Sequence, residues 1–404
     1  MRVLFTTTGN AGHLLPLIPI ARACMSAGHD VCVATQRGRA VDVRDSGLPT
    51  IAFDDPPDEA WAAIMAASAH LSVDQTNARV VGELFAGVDS RAAIPGLLDI
   101  VETWRRTVIV RESYEFAGAL VAELHGIPHV RVGLGLARTE EWAIDLARPA
   151  LSELRTELGL PADPEAERIS TSPYLTFVPA ALEDPTAPGP RDALRVRVTK
   201  PRIAERLPDW WPDDELPLVY LTFGSVAGGF GFFPGLYQTA IEAIATLPVR
   251  VLVTTGRSGD PAELRRLPRN VHVERWVAQE HVLSHAAVVV GHGGFGTTLG
   301  ALAHGVPLVM LPLFAGDQWQ LARRVAQTGA GIALPETPEP GRRAHDAPGD
   351  GAVGALPDAV RRVLEDPELN CAATTLADAF AALPPVTSAI DLLGDLRRGE
   401  QRCQ

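Results

Sequence analysis

A glycine-rich stretch at residues 291–298 is the clearest candidate for binding chemistry. It follows an apolar run at residues 286–290 and precedes a stretch with helical spacing. A strand that turns into a helix directs free backbone N–H groups and the positive helix end at one point, which suits a phosphate. His292 and the hydroxyl of Thr297 add side-chain donors. Three glycines would let the backbone approach such a ligand closely, namely Gly293, Gly294 and Gly296.

The residues on either side of this turn carry groups that suit other parts of a ligand. Trp276 offers a flat aromatic face, although an aromatic residue at a strand end is also an ordinary core residue. Farther along, Asp317 accepts hydrogen bonds and Gln318 both donates and accepts them. This pair is therefore suited to sugar hydroxyls.

A second candidate lies near the N-terminus. An apolar run at residues 3–6 predicts a buried strand, and a turn at residues 8–13 leads into a helix at residues 14–27 that Gly28 closes. In an open α/β sheet such a turn lies in the crevice where ligands bind. His13 is therefore either a helix-terminal residue bonded to nearby backbone or a general base, since imidazole titrates near neutral pH. The glycines do not fit Gly-x-Gly-x-x-Gly, which argues against a dinucleotide site.

In combination these motifs resemble a known family. The order Trp-x-x-Gln, ending at Gln279, then His-Gly-Gly-x-Gly-Thr, Gly-Val-Pro and Asp-Gln is similar to the nucleotide-sugar box of family 1 (UDP-glycosyltransferase-type) glycosyltransferases. The resemblance is greatest to actinobacterial enzymes that glycosylate natural products such as macrolides and enediynes. It covers residues 218–334, and residues 9–13 match the family's Gly-x-x-Gly-His motif. It implies an α/β GT-B architecture, with two Rossmann-like domains facing across a cleft and a C-terminal helix crossing back to the first.

The resemblance also implies roles for individual residues. His13 would be the base that deprotonates the acceptor, and a nearby carboxylate would orient it and stabilise the imidazolium. Glu112 fits that carboxylate best, and Glu115 is the alternative if the register is shifted. A solvated carboxylate, or one paired with Arg111, is the structural alternative for Glu112. The implied donor site comprises Ser225, Trp276, Val277, Gln279, His292, Gly294, Gly296, Thr297, Asp317 and Gln318.

The expected chemistry needs neither a metal ion nor a cofactor besides the nucleotide-sugar co-substrate. The chain contains no Asp-x-Asp, the motif that commonly supplies the metal in the other major glycosyltransferase architecture. A helix N-terminus and His292 would stabilise the leaving diphosphate instead. The acceptor oxygen would attack the anomeric carbon from the opposite side, so we expect inversion without a covalent intermediate.

One departure from the family bears on the donor. Many UDP-sugar users of the family carry a Glu three residues after the last motif hydroxyl, where it contacts the ribose. Counted from Thr297, that position holds Gly300. A lost ribose contact matters less for thymidine, which lacks the 2′-hydroxyl, so a dTDP-deoxysugar is favoured over UDP-glucose.

The length of 404 residues predicts two α/β domains. We expect an acceptor-binding domain at residues 1–200, a Pro-rich linker at 201–216, a nucleotide-sugar domain at 217–385 and a C-terminal helix at 386–404. Residues 54–100 alternate Pro-rich and Ala-rich stretches with little strand character, and residues 60–69 and 76–85 are expected to be helices. The resemblance implies that this region forms the wall of the acceptor pocket.

Composition narrows the partners and the compartment. A net charge of −13 argues against nucleic acid or an anionic membrane as partner, and there is no run of eighteen apolar residues. The four cysteines show no disulfide framework, which favours a reduced, cytoplasmic protein. A small-molecule aglycone is the expected acceptor. Its identity, the sugar, the atom glycosylated, a homodimer and the need for an activator protein stay open.

Two other readings keep the same donor site. One is a nucleotide-sugar epimerase or hydrolase of the same architecture, and the other is a silent sugar-nucleotide-binding partner protein. The His13 turn and the Asp317–Gln318 pair favour transfer over the first. The presence of both His13 and His292 argues against the second.

Overall fold

The computed structural model describes residues 1–9, 11–68, 70–104, 108–198, 207–211, 215–335 and 341–403. It divides into two compact units, the first made of Met1–Thr199 with Leu383–Gln404 and the second of Lys200–Ala382. Much of the predicted linker, residues 201–206 and 212–214, lies outside the described residues.

The first unit is built on a seven-stranded sheet in which neighbouring strands are parallel. The strand order is β3-β2-β1-β4-β5-β6-β7, so the chain reverses its direction of travel across the sheet between β1 and β4. In such sheets ligands bind beyond the carboxyl ends of the strands at this switch point. The strands are Arg2–Thr7 (β1), Asp30–Gln36 (β2), Thr50–Phe53 (β3), Val108–Glu112 (β4), His129–Val132 (β5), Tyr174–Thr176 (β6) and Leu194–Arg195 (β7).

The second unit repeats this topology with six parallel strands in the order β10-β9-β8-β11-β12-β13. Its switch point lies between β8 and β11. The expectation of two Rossmann-like α/β domains is confirmed. The strands are Leu218–Thr222 (β8), Arg250–Thr254 (β9), Val271–Glu274 (β10), Ala286–Gly291 (β11), Leu308–Met310 (β12) and Gly331–Ala333 (β13).

Helices cover both sheets. Those of the first unit are Ala11–Leu14 (α1), Leu17–Ser26 (α2), Ala40–Asp45 (α3), Asp58–Ser68 (α4), Val73–Ala78 (α5), Ser90–Trp104 (α6), Ala117–Leu124 (α7), Ala137–Glu157 (α8) and Glu167–Ser170 (α9). Those of the second unit are Gly235–Ile244 (α10), Gln279–Leu283 (α11), Phe295–Ala303 (α12), Gly316–Gln327 (α13), Asp350–Gly354 (α14), Leu356–Glu365 (α15) and Pro367–Ala381 (α16). A π-helix at Arg79–Asp89 joins α5 to α6. Short 3₁₀ turns lie at Arg37–Arg39, Ala180–Leu182, Ala227–Phe230, Pro261–Glu263 and Val386–Ser388.

Two stretches differ from the sequence prediction. The helix expected at residues 14–27 is two helices, because Pro16 lacks the N–H that would continue the first one. Gly28 closes the second with φ +79°, as expected. Farther on, helical structure runs from Val73 to Trp104 through the π-helix and is much longer than predicted.

The C-terminal segment belongs to the first unit. The backbone of Arg197 pairs with Pro385, and the last helix, Ala389–Cys403 (α17), packs against α2 and β4. Both units have a continuous apolar core around their sheets. Strands covered on both faces explain the uninterrupted apolar runs in the sequence. Within the described ranges, no helix has the length and apolar character needed to cross a membrane.

Candidate active site

His13 lies against Glu112 at the switch point of the first unit. Its Nδ1 is 3.0 Å from Oε1 of Glu112, and the side chains are 18% and 0% exposed. Glu112 is the last residue of β4, and His13 belongs to α1, the short helix that follows β1. A carboxylate accepts hydrogen bonds, so Nδ1 carries the hydrogen of the neutral ring. The lone pair is then on Nε2, and that nitrogen is the one that can take a proton.

Backbone donors fix the Glu112 carboxylate. Oε1 accepts the N–H of Thr8 at 3.2 Å, and Oε2 accepts the N–H of Tyr114 at 2.7 Å. Both donors flank the ends of β1 and β4, so the sheet itself orients the carboxylate. Hydrogen bonds to an ionised acceptor are the stronger kind, so these two contacts hold the carboxylate firmly in place.

Glu115, the alternative partner of His13, has other contacts. Its carboxylate accepts the Thr6 hydroxyl and the N–H of Gly118, the latter at 2.9 Å and 3.1 Å. Burial raises the pKa of Glu115 to about 7. The guanidinium of Arg111, also buried, donates to the main-chain carbonyls of Glu112, Ser113 and Glu115. The structure therefore brings Glu112, rather than Glu115, into hydrogen-bond contact with His13.

Two aromatic rings surround the imidazole. The ring centroids of Phe85 and Tyr114 lie 5.4 Å and 5.6 Å from that of His13, with edge-to-face geometry. Phe85 comes from the π-helix and Tyr114 from the loop after β4. Such π-helical turns are frequent at functional sites. The two rings make the surroundings of the base apolar.

In the second unit, His292 lies immediately after β11. Its Nδ1 is buried and has no hydrogen-bond partner among the described residues. Burial lowers the pKa of His292 to about 4, so the ring is neutral at physiological pH. A neutral ring offers one N–H donor and one acceptor nitrogen. The ring can therefore donate a hydrogen bond to a phosphate oxygen but does not bring a positive charge.

Glycines make room for this ring. A Cβ at Gly294 would lie 2.5 Å from Nε2 of His292, and one at Gly224 would lie 2.7 Å from its Cε1. Gly293 has φ +84°, and a Cβ there would lie 2.8 Å from the carbonyl oxygen of Gln318. The sequence suggested that these glycines let the backbone approach a ligand closely. In the structure, the space beside Gly293 is filled by the backbone of Gln318, and the space beside Gly294 is filled by the ring of His292. Gly296 alone among the predicted three faces open space.

Thr297, another donor-site candidate, lies in the first turn of α12. Its N-cap is Gly294, so no side chain caps the first turn. Nε2 of Gln279 donates to Oγ1 of Thr297 at 3.0 Å. Trp276 is 75% exposed, so it is not the core aromatic considered as its alternative. The neighbouring Val277 is half-buried, and Ser225, just after β8, is exposed.

Asp317 and Gln318 begin α13 but have different surroundings. Asp317 is partly exposed in the first turn. Gln318 is only 3% exposed, and its Oε1 accepts the N–H groups of Leu313 at 2.8 Å and Phe314 at 3.2 Å. The Gln318 oxygen thus holds the loop after β12 in place.

Comparison with known proteins identifies the family. The N-terminal and C-terminal domain models of the erythromycin biosynthesis protein CIII-like family match residues 22–174 and 238–396. The elloramycin glycosyltransferase ElmGT of Streptomyces olivaceus is 30% identical over 95% of this chain and 94% of its own length. The chain belongs to this family of glycosyltransferases. The 4′-demethylrebeccamycin synthase of Lentzea aerocolonigenes is 29% identical over 98% of this chain and 99% of its own.

Solved structures agree with this assignment. The glycosyltransferase SnogD from Streptomyces nogalater matches with a TM-score of 0.74 and 27% identity, covering 98% of this chain and 99% of its own. The spinosyn rhamnosyltransferase SpnG matches with a TM-score of 0.77 and 23% identity, covering 98% and 100%. The fold is GT-B. This protein is therefore a glycosyltransferase that uses a nucleotide sugar and a natural-product aglycone, and the epimerase, hydrolase and silent-partner readings are not favoured.

Gly300 of this glycosyltransferase is buried within α12. A Cβ there would lie 3.1 Å from Cδ1 of Leu283 and 3.5 Å from Oε1 of Gln279. The position thus faces α11, and a longer side chain would have to displace Leu283. Among the residues that the structure describes, no group of three or more His, Cys, Asp or Glu could hold a metal ion.

Sequence reasoning missed part of the surroundings of His13. Thr8 follows β1 and Tyr114 follows β4, and these two strands are neighbours in the sheet. The sheet order alone therefore predicts that both residues lie near His13. Asp89, also near His13, lies in an apolar helical stretch and carried no signal. Its position depends on how the π-helix packs.

Proposed function

We propose that this glycosyltransferase transfers a deoxysugar from a dTDP-sugar to a hydroxyl of a small aglycone, with inversion and without a metal ion. The observation that carries the proposal is the contact between His13 Nδ1 and Glu112 Oε1 at 3.0 Å. It gives the first unit an oriented base. The first unit would bind the acceptor, and the second would bind the nucleotide sugar.

The reaction is one displacement. Nε2 of His13 takes the proton of the acceptor hydroxyl, and Glu112 stabilises the resulting imidazolium. The acceptor oxygen forms a bond to the anomeric carbon as the bond from that carbon to the diphosphate oxygen breaks, and the electron pair leaves with the diphosphate. The first-turn N–H groups of α12, with the Thr297 hydroxyl and His292, stabilise the charge on the leaving group.

The donor site extends from the base to the sugar. Trp276 would stack on thymine, Val277 would bond its edge through the backbone, and Ser225 would contact the phosphates. Gln279 would fix the Thr297 hydroxyl, and Asp317 would hold the sugar. Gly294, beside the ring of His292, and Gln318 would shape the turn and the loop around these groups. Gly296, which has no atom near its Cβ position, would leave room for the phosphates.

Two observations favour dTDP over UDP. Gly300 offers no side chain to a ribose 2′-hydroxyl, and it packs against Leu283. Structural relatives also include VinC in complex with dTDP and SpnG complexed with thymidine diphosphate. Relatives such as the 10-deoxymethynolide desosaminyltransferase of Streptomyces venezuelae support a natural-product acceptor and a place in antibiotic biosynthesis. The reaction would take place in the cytoplasm. Light scattering of the purified enzyme would decide whether it is a homodimer.

Calorimetric titration with dTDP, UDP, ADP and NAD tests the proposal. We expect dTDP to bind most tightly and to raise the melting temperature, because a ligand of the folded state stabilises it. Trp276→Ala should weaken dTDP binding about tenfold or more, since stacking on a base contributes about 1–3 kcal/mol. Leu267→Ala, at another exposed apolar residue of the same unit, is the matched control.

Each part of the proposal can fail separately. Tighter binding of UDP would discard the thymidine preference but keep the donor site. Binding of neither pyrimidine diphosphate would refute the donor site. A marked fall in rate with a chelator would refute the metal-free mechanism.

A further inference from the structure

A second buried carboxyl lies on the same helix as Phe85, an aromatic neighbour of the candidate base. Asp89 is the last residue of the π-helix, is 8% exposed, and its Oδ1 is buried without a hydrogen-bond partner among the described residues. A buried carboxyl oxygen with no partner is costly, so it requires an explanation. Glu112 already occupies one side of the imidazole.

The π-helix places Asp89 on the same face as Phe85, which contacts His13. Residues four or five apart lie on one face of such a helix because its hydrogen bonds join residues i and i+5. Phe85, four residues before Asp89, contacts the His13 ring with a centroid distance of 5.4 Å. Gly87 faces the other way, since a Cβ there would lie 3.8 Å from Cβ of Ala150 in α8.

The charges around Asp89 come from each neighbouring element. Burial raises its pKa to about 7, while His13 of α1, a hydrogen bond from Gln36 at the end of β2, and Arg39 lower it, and Glu112 of β4 raises it. Because a protonated His13 favours ionised Asp89, and ionised Asp89 favours protonated His13, the two protonation equilibria are coupled.

We propose that Asp89 is a positioning residue for His13, a second carboxylate that joins Glu112 in stabilising the imidazolium formed when His13 takes the acceptor's proton. The proposal rests on the function proposed above for His13. Only a proton moves in this step, from the acceptor oxygen to Nε2 of His13. Asp89 is ionised in the active form, so the rate rises as pH rises through the range in which Asp89 loses its proton.

Histidine-selective NMR titration of the full chain tests the coupling without any acceptor. The His13 signal is assigned by its absence in His13→Gln. Asp89→Asn should lower the pKa of His13 by about one unit, a tenfold change in its proton affinity. Asp99→Asn, at an exposed residue of the next helix, is the matched control and should change nothing.

The wild-type curve gives a second readout that does not depend on the folding of a variant. Because the two protonation equilibria are coupled, the titration curve of His13 should be broader than that of a single independent site. An identical His13 titration in folded Asp89→Asn, or a wild-type curve that fits a single independent site, overturns the proposal. Failure of the proposed function is seen separately, as full turnover in His13→Gln.

Discussion

The proposed role of His13 as a base depends on which of its two ring nitrogens is already hydrogen-bonded. Glu112 holds Nδ1, and two backbone N–H groups hold Glu112, so rotation of the ring is opposed by contacts that originate in β1 and β4. The carboxylate also provides the negative charge that an imidazolium needs in apolar surroundings. The rings of Phe85 and Tyr114 supply those surroundings.

Replacing the base should separate turnover from donor binding. His13→Gln should lower turnover by about 10²–10⁴-fold, the usual contribution of a positioned general base. Its dTDP affinity should change less than about threefold, because the proposed donor residues belong to the second unit. Initial rates and dTDP calorimetry measure the two effects.

The matched control is His125→Gln, at an exposed residue that ends α7. It should leave both quantities unchanged. If His13→Gln instead abolishes dTDP binding with turnover, His13 has a structural role and the assignment of the base is wrong.

At the level of the elements, the sequence predicted what depends on local pattern. Buried parallel strands appear as apolar runs in the sequence. The segments after β1 and β11 contain the glycines and histidines from which the two candidate sites were predicted. The resemblance implied the carboxylate, and in the structure Glu112, rather than Glu115, contacts His13. The π-helix could not be predicted, because its register is set by packing against α6 and α8. For the same reason, the position of Asp89 could not be predicted from the sequence.

The glycines of the α12 turn show the same limit. Their number predicted close approach, but what approaches closely is the ring of His292 in the case of Gly294 and the backbone of Gln318 in the case of Gly293. Sequence spacing cannot tell a ligand from a neighbouring side chain. Likewise, the buried oxygen of Gln318 is used by its own loop, a role that its pairing with Asp317 in the sequence did not suggest.

Gly294→Ala should displace the ring of His292. Gly294 has φ −64° and ψ 139°, which alanine adopts easily, so the effect would come from the 2.5 Å approach to Nε2 rather than from backbone strain. We expect a loss of about 1–3 kcal/mol in the free energy of unfolding, as for other overpacked sites. The dTDP affinity should fall about tenfold. Denaturant unfolding and calorimetry measure these effects.

Two further variants identify the cause. Gly235→Ala, at a glycine with no atom near its Cβ position, should cost nothing. In a His292→Ala background, Gly294→Ala should cost little stability, because the ring that it would strike is gone. A full loss in that background would show that the clash is with something else.

At the scale of the whole molecule, both units have a parallel sheet with the same arrangement of strands around the switch point, but only the first unit is built from two separate parts of the chain. Residues 383–404 complete that unit. The resemblance predicted that return, whereas composition and periodicity indicated only a final helix. Its physical basis is the apolar side of α17, where Leu393 is 2% exposed, and its packing against α2 and β4.

Leu393→Ala should therefore lower the stability of the first unit and leave the stability of the second unit unchanged. Removing a buried leucine side chain costs about 2–5 kcal/mol through lost burial and the cavity left behind. Hydrogen exchange should rise at α2 and β4 and stay unchanged at β11 and α12, and dTDP should bind as before. Asp391→Ala, at an exposed residue of the same helix, is the matched control. Faster exchange at β11 and α12, with weaker dTDP binding, would instead mean that the second unit also depends on this helix.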